Sequence, residues 1–290
     1  AIPCFQILAD HSPPAQRTLF YYVLGELYAA LDNDPEAKRH FALATLESAP
    51  VPDSFVKLAL LHMKSDLPEA LEVLLRAEQV VPGNPAVLFL LGDVHSLQGR
   101  YADAIAVYER MLSVLAESDR ERLTSTFYLH YGGACERAGQ MEKAESTFEK
   151  CLDQHPDASA ILNYLAYMWA EKGIKLDKAE QYVTRALKRE PDNGAYVDTL
   201  GWIYFKQNRY PEALDKIRRA NDLIKGDAVV ADHLGDVLNA LKEQDKAVSC
   251  WKQSYLLDPG NKGVADKLQS RGIDVGQLRK EAPKAGQGGK

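Results

Sequence analysis

The residues best placed to do chemistry in this 290-residue sequence are Asp232, His233 and Asp236, which fall within one turn of an apolar helical pattern. Carboxylates and imidazoles are metal ligands and proton carriers. Asp232 and Asp236 share a helix face because they are four residues apart, whereas His233 is offset from them. No second His or Cys is placed to complete a site, so we predict a polar contact surface here and no metal centre.

The remaining reactive side chains are interpreted as packing residues. His62 and His95, 33 residues apart, occupy equivalent places in two helical patterns, where we expect buried or half-buried rings. A cysteine within an apolar pattern behaves as a small hydrophobe. The four cysteines are too scattered for a disulfide framework or a CxxC metal site, and we expect all of them in the core. They are Cys4, Cys135, Cys151 and Cys250.

Neither the motifs nor the composition favours an enzyme or a nucleic-acid-binding protein. The sequence contains no nucleophile motif, no phosphate-binding glycine loop and no HExxH, so we expect no catalytic activity and no cofactor. A net charge of −6 argues against nucleic acid as the main partner, because phosphate binding requires a basic face. There is no run of about 18 apolar residues that would predict a transmembrane segment. The 46% hydrophobic content is ample for a packed interior.

A repeat of about 34 residues organises the chain. Small residues inside apolar patterns recur with spacings of 34, 33, 40, 34, 35 and 34. About twelve residues after each comes an alanine, and four residues later a larger apolar side chain, before a proline or a turn. The first small residues are Gly25, Ala59, Gly92, Gly132, Ala166, Gly201 and Gly235, and the alanines are Ala37, Ala70, Ala104, Ala144, Ala179, Ala213 and Ala247.

This pattern predicts pairs of antiparallel helices. Two helices joined by a short turn approach closely only where side chains are small, so a Gly or Ala on the first should face the Ala on the second. Gly99, Gly139 and Asn208 fall in the turns, where we expect the left-handed conformation that ends a helix. One pair cannot bury its apolar stripe alone, so the units must stack on their neighbours.

The residues resemble the tetratricopeptide repeat (TPR) family, most closely in "AYVDTLGWIYFKQNRYPEALDKIRRANDL" from Ala195 and "VADHLGDVLNALKEQDKAVSCWKQSYLLDPGN" from Val230. The resemblance implies an all-α fold, a right-handed TPR superhelix (α-solenoid) of about seven helix pairs with capping helices at the C-terminal end. It covers residues 18–261 as one continuous solenoid. The seven repeats are predicted at 18–51, 52–84, 85–124, 125–158, 159–193, 194–227 and 228–261.

Departures from the repeat mark the loop after repeat 3 and both ends. The spacing of 40 predicts a longer second helix and exit loop in repeat 3, around "SVLAESDRER", and a hinge there. Residues 1–13 match the spacing of a second helix, so we expect half of a preceding repeat, with an isolated capping helix as the alternative. Residues 262–282 read as polar capping helices, and residues 283–290 as a disordered tail.

The resemblance also implies where a partner binds. Counting the first small residue of each repeat as position 8, a TPR groove is lined by roughly positions 2, 5, 6, 9, 12 and 13 of the first helices. In repeats 5–7 these positions combine aromatic and acidic residues, with Lys206 as the main base and Trp202 and Phe205 expected as exposed anchors. The predicted partner-binding residues are Asn163, Tyr164, Tyr167, Asp198, Thr199, Trp202, Phe205, Asp232, His233, Asp236 and Asn239.

These positions predict a protein or peptide partner with basic and apolar residues. They do not match the carboxylate clamp of chaperone-binding TPR modules, because their charge is acidic, and the groove positions of repeats 1–3 offer no clamp either. The C-terminal repeats are most similar to bacterial cell-envelope TPR adaptors, which favours a periplasmic or outer-membrane-associated location. Two alternatives stay open: a structural or self-associating arm, and the TPR region of a larger protein with a catalytic domain upstream.

Overall fold

The computed structural model describes residues 1–46 and 50–281, and within these ranges it contains eighteen helices and no strand. The tail predicted at 283–290 lies outside the described residues. The helices are α1 Ile2–His11, α2 Pro14–Ala29, α3 Asp34–Leu46, α4 Pro52–Met63, α5 Leu67–Val80, α6 Pro85–Leu97, α7 Tyr101–Val114, α8 Glu117–Arg120, α9 Ser125–Arg137, α10 Met141–Gln154, α11 Ser159–Lys172, α12 Leu176–Arg189, α13 Gly194–Lys206, α14 Tyr210–Leu223, α15 Ala228–Ala240, α16 Gln244–Leu257, α17 Lys262–Gln269 and α18 Val275–Glu281.

The chain divides into two compact units, residues 1–150 and residues 151–290, which are described separately. In each unit consecutive helices pack in pairs, and each pair packs on the next. In the first unit α4 also contacts α6, and α6 contacts α9. In the second unit α11 contacts α13, and α13 contacts α15. First helices of successive repeats therefore lie side by side, as the repeat pattern predicts.

The core of each helix pair forms around the small residues of the repeat. All seven alanines of the second helices are fully buried. The larger apolar group four residues further on, and not only the alanine, presses against the first helix. A Cβ on Gly25 would lie 2.6 Å from the ring of Phe41, and one on Gly201 would lie 2.6 Å from Cγ1 of Ile217. Glycine is required at these positions because a bulky side chain of the paired helix occupies the space of a Cβ.

Left-handed residues end the first helices, as predicted. Gly99, Gly139 and Asn208 have φ angles of 74°, 77° and 62°. Lys175 and Lys242 adopt the same conformation, with φ angles of 49° and 68°, although a lysine gives no sequence signal for it. The turn geometry is therefore set by the close packing of the two helices, and the residue in the turn adapts to it.

The longer third repeat differs from the prediction. Its second helix, α7, has 14 residues, the same length as α5, so the prediction of a lengthened helix was wrong. The additional residues instead form the four-residue helix α8 and the turns around it. Glu117, Asp119 and Arg120 keep this segment polar, so it adds no apolar face that would extend the α7 stripe.

Both ends of the described chain are helical. α1 packs against α2, where the rings of Phe5 and Phe20 lie 6.3 Å apart. That this helix is half of a preceding repeat stays a prediction. At the other end α17 packs on the last helix pair, where Val264 and Leu268 are fully buried against Trp251 and its neighbours. That α17 and α18 cap the repeats stays a prediction. None of the described helices combines the length and the apolar character that a bilayer crossing requires.

Candidate functional site

Trp202 is the centre of the predicted groove, and it is buried. The residue is only 6% exposed, so the expectation that Trp202 is an exposed anchor was wrong. The indole stacks on His233 of the neighbouring helix α15, with ring centroids 3.9 Å apart and an interplanar angle of 11°. Phe205, one turn further along α13, stacks in parallel at 4.7 Å and stays half-buried. The partly accessible aromatic edge is therefore Phe205, and Trp202 supports it.

Polar groups of α11 and α13 hold the indole in place. Nε1 of Trp202 donates a hydrogen bond of 2.5 Å to Oε1 of Glu171. Nζ of Lys206 lies 4.7 Å from the centroid of the indole and donates a bond of 3.5 Å to the backbone carbonyl of Glu171. A cation over an indole face is attracted by the ring quadrupole. Lys206, the main base predicted among the groove positions, therefore has an internal role.

His233 and Asp198 form a buried bridge between α15 and α13. Nδ1 of His233 donates a hydrogen bond of 2.8 Å to Oδ2 of Asp198, and the two residues are 4% and 5% exposed. Burial lowers the pKa of His233, but the negative charges of Asp198, Asp232 and Glu171 outweigh it and raise the pKa above its ordinary value. Oδ1 of Asp198 is buried, and no described residue donates a hydrogen bond to it.

The acidic pair of repeat 7 is held by a lysine of the chain itself. Nζ of Lys267, on α17, lies 2.7 Å from Oδ1 of Asp232 and 2.7 Å from Oδ1 of Asp236. Burial raises the pKa of Asp232, and the hydrogen bond from Lys267 opposes this shift. The sequence interpretation assigned these carboxylates to a partner's cation. The correction is that α17 supplies the first cation, because its packing places Lys267 beside them.

The remaining predicted residues divide between packing and partial exposure. Thr199 is 3% exposed, and its hydroxyl donates a bond of 3.0 Å to the carbonyl of Ala195 in its own helix, so it does not line an open surface. Oδ1 of Asn239 accepts a bond of 2.7 Å from Arg271, which follows α17. The half-buried members of the predicted set are Asn163, Tyr164, Tyr167, Phe205, Asp232, Asp236 and Asn239.

A second histidine bridge, which the sequence interpretation missed, lies in the first unit. Oδ1 of Asp93, on α6, accepts bonds of 2.5 Å from the hydroxyl of Tyr108 and 2.5 Å from Nδ1 of His130 on α9. The hydrogen bond to Asp93 raises the pKa of His130, while burial opposes the shift. The His130 side chain is 39% exposed and packs against Phe89, with ring centroids 5.3 Å apart.

One register rule connects these contacts: position 9 of a first helix meets position 6 of the next first helix. Trp202 and His233 obey it, as do Asp93 and His130. Outside the histidine bridges the rule gives two ion pairs, Glu26 with Lys57 at 3.0 Å and Asp236 with Lys267. Lys267 thus occupies the place of a position-6 residue in an eighth first helix. In the sequence, each of these position-6 residues lies 31 residues after its position-9 partner, except across the longer repeat 3.

The other reactive side chains occupy packing positions, with one exception. His95 is 8% exposed and His62 is half-buried, as predicted, and burial lowers the pKa of both rings. Cys135 and Cys151 are buried and Cys250 is partly so, but Cys4 is exposed, so its assignment to the core was wrong. In the described ranges no three His, Cys, Asp or Glu side chains converge as a metal site would require.

Comparison with known proteins points to one family. Models of the tetratricopeptide repeat match residues 84–157 and 175–228. The TPR repeat-containing protein YpiA of Bacillus subtilis is 30% identical over 149 residues, which are 49% of this chain and 34% of that protein. The match thus spans about a third of that relative's length.

Solved structures show the same fold at low sequence identity. A tetratricopeptide repeat protein from Parabacteroides merdae has a TM-score of 0.70 and 15% identity, over 88% of this chain and 98% of that one. A chain of the Cut9–Hcn1 hetero-tetramer of the APC/C has a TM-score of 0.66 and 17% identity, over 93% of this chain and 55% of that one. At such identities the likeness establishes the architecture alone.

Together the helix pairs, the register of their contacts and the family matches define an α-solenoid of helical repeats. The chain contains tetratricopeptide repeats. TPR repeats indicate a scaffold for protein–protein interaction, and the fold is typical of non-catalytic proteins.

Proposed function

We propose that the chain is a non-enzymatic scaffold that binds an extended polypeptide segment across the first helices of repeats 5–7. The surface consists of the half-buried residues of the predicted set, and we call it the α11–α15 face. Asn163, Tyr164 and Tyr167 contribute from α11, Phe205 from α13, and Asp232, Asp236 and Asn239 from α15. Asp198, Thr199, Trp202 and His233 support this face from below and make no direct contact with the segment.

The observation that carries the proposal is the parallel stack of Phe205 on Trp202, 4.7 Å between centroids with an interplanar angle of 6°. A half-buried phenyl ring fixed in this way loses little rotamer freedom when a partner covers it, which is the property of an interface anchor. The buried indole beneath it is held by Glu171 and His233, so the ring is positioned before any partner arrives.

Charge determines which segment fits this face. Glu171, Asp198, Asp232 and Asp236 are negative, and Lys206 and Lys267 compensate two of these four charges. The region stays negative even when His233 is protonated. A segment that carries basic residues beside an apolar one is therefore favoured, and an acidic segment is disfavoured.

The test is a peptide-display selection against the wild-type chain, followed by titration of fluorescent versions of the selected peptides. We expect the selection to enrich peptides with Lys or Arg near an apolar residue. Phe205→Ala and Glu171→Lys should each weaken their binding by about tenfold or more, as loss of an interface anchor does. A selection that yields only acidic peptides would contradict the proposal.

A matched control distinguishes binding at the α11–α15 face from non-specific binding to exposed apolar surface. Leu223, on the second helix α14, is 41% exposed and apolar, so Leu223→Ala removes exposed apolar area away from the first helices. Its affinity for the selected peptides should equal that of the wild type. If Leu223→Ala weakens binding as much as Phe205→Ala does, the peptides do not bind on the α11–α15 face.

The cell-envelope location and the self-associating arm stay predictions that depend on the sequence resemblance. Sedimentation of the chain at several concentrations tests the second of these. A dimer whose formation is abolished by Phe205→Ala would make the α11–α15 face a contact between copies of the chain.

A further inference from the structure

We propose that the His233–Asp198 bridge is a pH-sensitive lock between α13 and α15, which holds the α11–α15 face in its binding geometry when His233 carries a proton. The inference rests on the proposed function, because it assigns a regulation to the same surface. It begins with connectivity: the bridge joins the first helices of two successive repeats, through Nδ1 of His233 and Oδ2 of Asp198 at 2.8 Å.

Burial makes the charge state of this pair matter. With both residues at least 95% buried, a neutral imidazole would leave the Asp198 carboxylate as an uncompensated charge away from water. The protonated ring neutralises it. Among the described residues none donates a hydrogen bond to Oδ1 of Asp198, so the bond from His233 to Oδ2 is a principal stabilising contact of this carboxylate with another helix.

The surroundings of the ring also favour its charged form. From α11, Glu171 and Tyr167 face it; from α13, Asp198 and Trp202; and Asp232 follows from its own helix α15. The nearby cations are Lys206 of α13, which lies over the Trp202 indole, and Lys267 of α17, which is bound to Asp232 and Asp236. The indole face of Trp202, 3.9 Å from the ring, attracts a cation more strongly than a neutral imidazole.

The direction of the pH effect follows from these contacts. The pKa of His233 is higher in the folded chain than its usual value of 6.5, so the folded state binds the proton more tightly than the unfolded state does. The lock is therefore fully closed below about pH 6.5 and is lost as the pH rises through the folded pKa. A neutral imidazole still donates from Nδ1 but no longer compensates the charge of Asp198, so the bridge weakens. Because Trp202 stacks on the same ring and Phe205 on Trp202, this weakening loosens the anchor of the α11–α15 face.

Two measurements on the full chain test the lock without any partner. The first is the titration of the histidine Cε1–H resonances by NMR, with His233 assigned by its absence in His233→Gln. The second is hydrogen exchange of α13 and α15, corrected for the intrinsic dependence of exchange on pH. We expect the protection of both helices to fall by about threefold or more between pH 6 and pH 8.5. In His233→Gln, which keeps a hydrogen-bond donor but has no titrating charge, this change should disappear.

Asp198→Asn provides a second variant that retains a polar side chain of the same size. Its His233 should titrate at a lower pH than in the wild type. His130→Gln is the matched control, because it removes the equivalent ring of the first unit and should leave the pH response of α13 and α15 unchanged. A wild-type His233 that titrates at or below pH 6.5, or a pH response that persists in His233→Gln, would overturn the lock.

Peptide titration then tests its link to binding. If the lock holds and the proposed function is right, the selected basic peptides bind several-fold more tightly at pH 6 than at pH 8.5, and His233→Gln removes the difference. A lock seen in hydrogen exchange without any peptide binding would contradict the proposed function and leave the lock itself supported. Peptide binding that is equally tight at both pH values would overturn the regulation alone.

Discussion

The two histidine bridges use the same position of a first helix and differ in how far water reaches the ring. His130 and His233 both occupy position 6 and both bond through Nδ1 to an aspartate of the preceding first helix. The His130 side chain is 39% exposed, whereas the His233 side chain is 5% exposed. The residue at position 9 of the preceding helix accounts for the difference.

In the first unit position 9 is Asp93 itself, a short side chain that accepts a hydrogen bond from the ring, and the His130 side chain stays 39% exposed. In the second unit position 9 is Trp202, whose indole covers the ring, and the aspartate comes from position 5. A histidine at position 6 is therefore a surface group in the first unit and a core group in the second. The size of one neighbouring side chain decides between them.

The largest effect should come from Trp202→Ala, which removes the cover from His233. We expect a loss of about 3–5 kcal/mol in the free energy of unfolding, since an aromatic side chain leaves a cavity in a buried site. Phe89→Ala is the counterpart in the first unit, and its cost should be clearly smaller because Phe89 is only half-buried. Urea unfolding followed by circular dichroism measures both. Equal losses would show that the rings packed on His233 and on His130 are equally buried, and would contradict the comparison.

The next largest difference should lie between the two position-9 ion pairs, whose loss should cost different amounts of unfolding free energy. Lys267→Met removes the cation from two partly buried carboxylates, and we expect it to cost about 2 kcal/mol in unfolding free energy. Lys57→Met breaks the pair with Glu26, whose side chains are 42% and 39% exposed, so its cost should stay within about 1 kcal/mol. High salt should reduce the second cost more than the first. The reverse order of costs would contradict the assigned burial.

Asp93→Asn should weaken the first bridge by about 1–2 kcal/mol at pH 6, because one carboxylate oxygen accepts from both Tyr108 and His130. The pKa of His130 should fall towards 6.5 in this variant, which NMR titration measures directly. Asp103→Asn is the control, since the Asp103 carboxylate is 51% exposed and pairs with Arg100 on the same short stretch. An unchanged pKa of His130 would refute the role of Asp93.

The smallest effect is the pH dependence carried by His130. Its pKa is raised in the folded chain, so its contribution to stability is present below about pH 6.5 and is lost as the pH rises through the folded value. Because the ring is partly in water, His130→Gln should cost less than about 1 kcal/mol at pH 6 and almost nothing at pH 8.5. Unfolding curves at the two pH values give the difference. A larger cost at the higher pH would reverse the assigned sign.

Within a repeat, the sequence was a reliable guide to structure. The spacing of small residues predicted the helix pairs, because a glycine such as Gly201 is needed wherever a side chain such as Ile217 presses on the first helix. Gly99 and Asn208 predicted left-handed turns because few other residues favour that conformation. These features depend on local sterics, and local sterics can be read from a short stretch of sequence.

Contacts between repeats were harder to predict. Register placed Trp202 on the groove side but could not show that His233, 31 residues further on, would cover it. Lys267 was interpreted as part of a polar cap, and its contact with Asp236 depends on how α17 packs against the last pair. Exposure at the candidate site is a property of residue pairs from different repeats, so no single repeat contains the information.

The position 9 to position 6 rule makes the order of the repeats part of the fold. If repeat 6 were duplicated between α16 and α17, Asp236 would face the second Thr199, and Lys267 would face the second Trp202 in place of a carboxylate. Each helix pair would still be sound on its own, yet both new junctions would be mismatched. Lengthening or shuffling such a chain without loss of cohesion therefore requires matched changes at the two residues of every junction.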